Sequence, residues 1–119
     1  MIVQQPPCGD YILKWKGDEL TVSLKVLNRG KGHAVLRTNL GGSAIRRREI
    51  MEETESGKAP LACAWRDIPM NEIASGEFSC TVRLDEVGVF SAKACFFPDG
   101  SNIPEWPEGS NFHIKVVGL

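Results

Sequence analysis

Apolar and polar residues alternate along most of the chain. That is the period of strands with one face in a core and the other in water. Leu20, Val22, Leu24 and Val26 alternate with Thr21, Ser23 and Lys25. The run Asn28-Arg29-Gly30-Lys31-Gly32 breaks the pattern with a turn, and its two glycines can take positive φ. Ala34, Leu36 and Leu40 then continue a second strand beside Arg37 and Asn39. Phe78, Cys80, Val82 and Leu84 alternate with Glu77, Ser79, Thr81 and Arg83. A turn around residues 85–88 leads into Phe90, Ala92, Ala94 and Phe96, set against Ser91, Lys93 and Cys95. Pro98-Asp99-Gly100-Ser101 is a strong turn signal. The last alternation sets Phe112, Ile114 and Val116 against His113 and Lys115, and weaker strands are expected at Tyr11–Trp15 and Leu61–Trp65.

About seven strands separated by turn signals predict an all-β fold, an immunoglobulin-like antiparallel β-sandwich. Residues 43–56 depart from the alternation. This stretch is rich in helix formers, with Ser43 placed to cap it and Gly57 to end it, so a short helix is expected there. Its apolar residues Ile45, Ile50 and Met51 make only a thin stripe. The stretch 98–109 carries three prolines and reads as a long loop.

The chain has 119 residues, which predicts a single domain over 1–119. A chain of this size buries about two-thirds of the surface its unfolded form exposes, so it can fold without staples. Fourteen basic and fifteen acidic side chains give a net charge of −1. Without a basic excess a nucleic-acid partner is disfavoured. No apolar run approaches the ~20 residues of a membrane helix, and the N-terminus lacks the pattern of a secretory signal. A cytoplasmic protein without a membrane partner is the expectation.

Candidate chemistry is sparse. The four cysteines, Cys8, Cys63, Cys80 and Cys95, show no C-x-x-C spacing, so no metal site and no cofactor is expected. Cys63 and Cys80 fall on apolar sides of alternating segments and read as buried free thiols. The Cys…Trp…Cys signature of antibody domains is absent. His33 and His113 read as surface histidines, and no nucleophile elbow or phosphate-binding glycine loop accompanies them. No catalytic residue is therefore assigned. The acidic residues Glu49, Glu52, Glu53 and Glu55 follow Arg46, Arg47 and Arg48, a solvated face of internal ion pairs. The tryptophans are the residues of interest. Trp106 sits in a proline-bounded loop, where an indole can stack on a sugar ring, plug the end of the sandwich or meet another domain. Trp15 and Trp65 are further candidates for sugar or domain contact, although Trp65 ends an apolar alternation and is expected in the core.

One resemblance emerges from the runs Trp65-Arg66-Asp67-Ile68-Pro69-Met70, Leu84–Ala94 and Trp106-Pro107-Glu108-Gly109 before Ile114-Lys115-Val116. Together with Leu36–Gly42 they resemble the N-terminal β-sandwich domains of α-amylase-superfamily enzymes, in particular bacterial amylo-α-1,6-glucosidase (glycogen debranching) proteins. The resemblance covers most of Tyr11–Val116. It implies a non-catalytic accessory domain at the N-terminal part of a longer glycoside hydrolase or glucan transferase. The catalytic acids of such enzymes lie in a separate barrel. The implied partners are the catalytic domain of the same polypeptide and an α-glucan. The shared motifs have architectural readings: Pro69 at a strand end or sheet edge, Gly88 in a tight turn, and Phe78 paired with Phe90 across a hairpin. An accessory domain of this kind should carry an apolar patch on one face.

Overall fold

The computed structural model describes residues 2–28, 30–40 and 65–118. Nine strands form among them: β1 (Ile2–Gln5), β2 (Tyr11–Trp15), β3 (Glu19–Val26), β4 (Gly32–Thr38), β5 (Arg66–Pro69), β6 (Asn71–Ala74), β7 (Glu77–Arg83), β8 (Gly88–Pro98) and β9 (Phe112–Val117). They make two sheets, ordered β1-β3-β7-β6 and β2-β9-β8-β4-β5. This is the immunoglobulin-like layout of a four-stranded and a five-stranded layer. All pairs are antiparallel except one: β2 runs parallel to β9, with Tyr11 opposite His113 and Trp15 opposite Val117.

The alternation decides which residues enter the core. In β3, Leu20, Val22, Leu24 and Val26 are buried. Across from them β8 supplies Ala92, Ala94 and Phe96, β4 supplies Ala34 and Leu36, and β9 supplies Phe112, Ile114 and Val116. The Phe78 and Phe96 rings meet between the layers at 5.8 Å with a 49° tilt, an offset geometry that suits two aromatic quadrupoles. Two buried polar side chains are satisfied. Gln4 Oε1 accepts from Ala94 N at 2.7 Å while its amide donates to Pro6 O at 2.8 Å. Thr38 Oγ1 donates to Ser91 O at 2.8 Å and accepts from Leu40 N at 3.1 Å. Left unpaired at that depth, each such group would cost about 1–3 kcal/mol.

Several expectations need correction. Nine strands stand where about seven were expected, because β1, β5 and β6 are four-residue strands too short for alternation to register. Phe78 and Phe90 do not pair. Consecutive strands β7 and β8 lie in different sheets, so Phe78 faces Leu24 and Phe90 faces Ile114. Pro69 does end β5, an edge strand, and Gly88 takes φ +150° at the start of β8. Cys80 is buried in the core as expected. The helix expected at 43–56, Cys63 and the segment 61–64 lie outside the described residues. No helix of the described chain is long and apolar enough to cross a membrane.

Candidate functional site

The outer face of the five-stranded sheet carries the candidate site. Register alone sets its floor: Arg37 on β4 lies opposite Lys93 on β8 and, on its other side, opposite Asp67 on β5. Strand alternation sends these three side chains away from the core. Arg37 Nε and Nη2 donate to the two carboxylate oxygens of Asp67 at 2.8 and 3.0 Å. This two-point bond fixes the plane of the guanidinium. It also sets both ionisations. The hydrogen bond from Arg37 holds the Asp67 carboxyl below its usual range, and the bond to Asp67 raises Arg37 above its own.

The long connection between β8 and β9 folds back over this floor. Beyond Ala92, β8 has no β9 partner on that side, and Glu105 takes its place. Phe96 N donates to Glu105 O at 2.9 Å and Glu105 N to Phe96 O at 2.7 Å. The next residue, Trp106, is thereby laid over the two cations. Its ring centroid is 5.4 Å from the Arg37 guanidinium carbon and 5.7 Å from Lys93 Nζ, within cation–π range. Lys93 Nζ also donates to Gly109 O, tying the far end of the loop to the sheet. Pro107 is buried.

Trp65, immediately before β5, completes the arrangement. Trp65, Trp106, Arg37, Lys93 and Asn111 line an open hollow of about 230 Å³. Trp65 and Trp106 remain 38% and 37% exposed, so each indole is half seated and half available. Trp65 is therefore not a core residue, contrary to expectation. It immediately precedes the strand that carries Asp67. Trp15 is not part of the hollow. It ends β2, at the opposite edge of the same sheet.

Two other groups were candidates for chemistry. Cys95 points to this outer face but is fully buried, and desolvation pushes its thiol up to about 11. A thiol of that kind is almost wholly protonated at neutral pH and a poor nucleophile. Ser91 Oγ and His113 Nδ1 lie 2.8 Å apart on β8 and β9. No carboxylate bonds this imidazole among the described residues, and neither side chain lines the hollow. The pair lacks the orienting third group of a nucleophile–base system. His33 stacks on Phe97 at 5.0 Å, exposed at the sheet surface. No group of His, Cys, Asp and Glu able to hold a metal forms among the described residues.

Sequence reading missed Arg37, Lys93, Asp67 and Asn111. The outward positions of Arg37 and Lys93 were visible in the alternation, whereas Asp67 lies on a strand too short to register and Asn111 just before β9. The registers that line them up depend on long-range pairing. No protein-family model matches the chain, and no curated protein matches it.

Proposed function

We propose that this chain is a non-catalytic accessory domain of a glucan-processing enzyme, and that it holds a glucan chain through the hollow between Trp65 and Trp106. One observation carries the reading: two half-exposed indoles from distant parts of the sequence line one hollow together with Arg37, Lys93 and Asn111. The C–H face of a pyranose is apolar and matches an indole face. Its rim of hydroxyls offers acceptors to guanidinium, ammonium and amide donors. The volume suits about one ring. It falls short of the ~300 Å³ at which drug-sized pockets begin, so binding is expected to be weak. The resemblance of the Trp65–Met70 and Trp106–Gly109 segments to debranching-enzyme N-terminal domains supplies the choice of α-glucan. It also supplies the catalytic domain of the same polypeptide as partner.

The test is a titration of the chain with malto-oligosaccharides and glycogen, followed by tryptophan fluorescence. The expected result is a saturable change at millimolar sugar that Trp106→Ala and Trp65→Ala abolish and Trp15→Ala leaves in place. A flat titration at millimolar sugar would overturn the reading.

A further inference from the structure

The four strands at the sheet edges are not alike. A bare edge invites pairing with another chain, and folded proteins usually blunt it. β5 ends on Pro69, β1 runs directly into Pro6 and Pro7, and β6 is broken by a register shift between Glu72 and Ala74. β2 has none of these devices within its length. Its side chains Tyr11 and Leu13 are 60% and 62% exposed on the outer face.

The parallel ladder fixes which backbone groups β2 presents. His113 N donates to Asp10 O, and Lys16 N donates to Val117 O. Even-numbered residues therefore bond to β9, and the N–H and C=O of Tyr11, Leu13 and Trp15 point to the open side. Trp15 is already capped. Its N–H donates to Asp18 Oδ2 at 2.9 Å, and its carbonyl accepts from Asp18 N at 2.9 Å. Gly9 closes the other end by donating to Ser110 O. Among the described residues, the open edge is thus the pair Tyr11 and Leu13.

We infer that this edge pairs with the same edge of a second copy of the chain, antiparallel about a twofold axis at Ile12, to give a continuous ten-stranded sheet. In that register Tyr11 faces Leu13 of the other copy, and the two pairs exchange about four N–H···O bonds. A register centred on Leu13 would need the Trp15 amide and carbonyl, which Asp18 holds. Charge supports the choice of occupant. The Ile12 register sets Asp10 against Lys14 of the other copy, twice by symmetry, at the closely spaced type of antiparallel pair. Ile12, half-buried at the margin of the core, meets its own counterpart there. On the outer face Tyr11 packs on Leu13, an aromatic–aliphatic cross-strand pair. An interface of this kind is isologous and closes on itself.

The test is sedimentation equilibrium of the chain over a concentration series reaching high micromolar. The expected result is a monomer–dimer equilibrium with a monomer mass of 13.1 kDa. Lys14→Asp should weaken the dimer about tenfold or more by setting like charges opposite each other. The double variant Asp10→Lys, Lys14→Asp should restore it. Leu13→Pro, which removes an outward N–H that bonds nothing in its own sheet, should give a monomer, with circular dichroism confirming the fold. A wild-type chain that stays monomeric throughout overturns the inference. So does a dimer indifferent to these variants, or one whose charge swap fails to rescue. Binding only to a catalytic domain, with no self-association, also overturns it.

Discussion

The Arg37 guanidinium carbon lies over the Trp106 ring, 5.4 Å from its centroid, and Asp67 holds the guanidinium through two hydrogen bonds. The indole thus lies on a cation that a third residue orients. Asp67→Asn should release Arg37 and let Trp106 shift. Sugar affinity is expected to fall several-fold. Stability should change by less than about 1 kcal/mol, because the ion pair is well exposed. Fluorescence titration beside chemical denaturation separates the two effects.

Acid should act through the same carboxylate. Asp67 titrates below its ordinary value of 3.8 in the folded chain. Its contribution is therefore present above 3.8 and lost as pH falls through the lower folded value. The Trp106 emission should show a step in that range. The step should vanish in Asp67→Asn.

Buried thiols should be chemically silent. Cys80 and Cys95 are buried and desolvation raises both, Cys95 to about 11, whereas Cys8 is half-buried. In a Cys63→Ser background, iodoacetamide at pH near 8 should label Cys8 first and the other two only on unfolding, as read by peptide mass spectrometry. For Cys95 the fold favours the neutral thiol. Its stabilising contribution is full below 9.0 and is lost as pH rises toward about 11.

Gly109 takes φ +109°, and a Cβ there would sit 2.8 Å from Cys8 Cβ. Gly109→Ala therefore combines backbone strain with a clash. A loss of about 1–3 kcal/mol is expected in a thermal or denaturant melt. The carbonyl that Lys93 grips moves with it, so sugar binding should weaken as well.

Phe96 is a central plug of the sandwich, fully buried against Phe78. Phe96→Ala should cost about 3–5 kcal/mol in equilibrium denaturation. It also undermines the strand to which Glu105 is tied.

The long strands were legible because burial on one face writes itself into alternation. β3, β7 and β9 match the expected segments almost residue for residue. That Phe78 and Phe90 lie in different sheets was not legible, since adjacency in sequence does not tell a hairpin from a crossing between layers. Trp106 was recognisable as a loop tryptophan. Its partners were not, because Arg37 and Lys93 become neighbours only through the β4–β8 register. Trp65 was misread for a related reason. An apolar run ends there, but the strand that positions it begins one residue later, with Arg66 and Asp67.

The parallel pairing of β2 with β9 joins the second strand to the last one across almost the entire sequence. Non-local pairings of that span slow folding, because the loop must close before the contacts form. During synthesis, Tyr11–Trp15 must wait for Phe112–Val117 to leave the ribosome before it gains its sheet neighbour. Until then its apolar side chains have no strand beside them. The newborn chain is thus open to wrong partners, chaperones included, at Tyr11–Trp15, and that exposure ends only when Phe112–Val117 arrives.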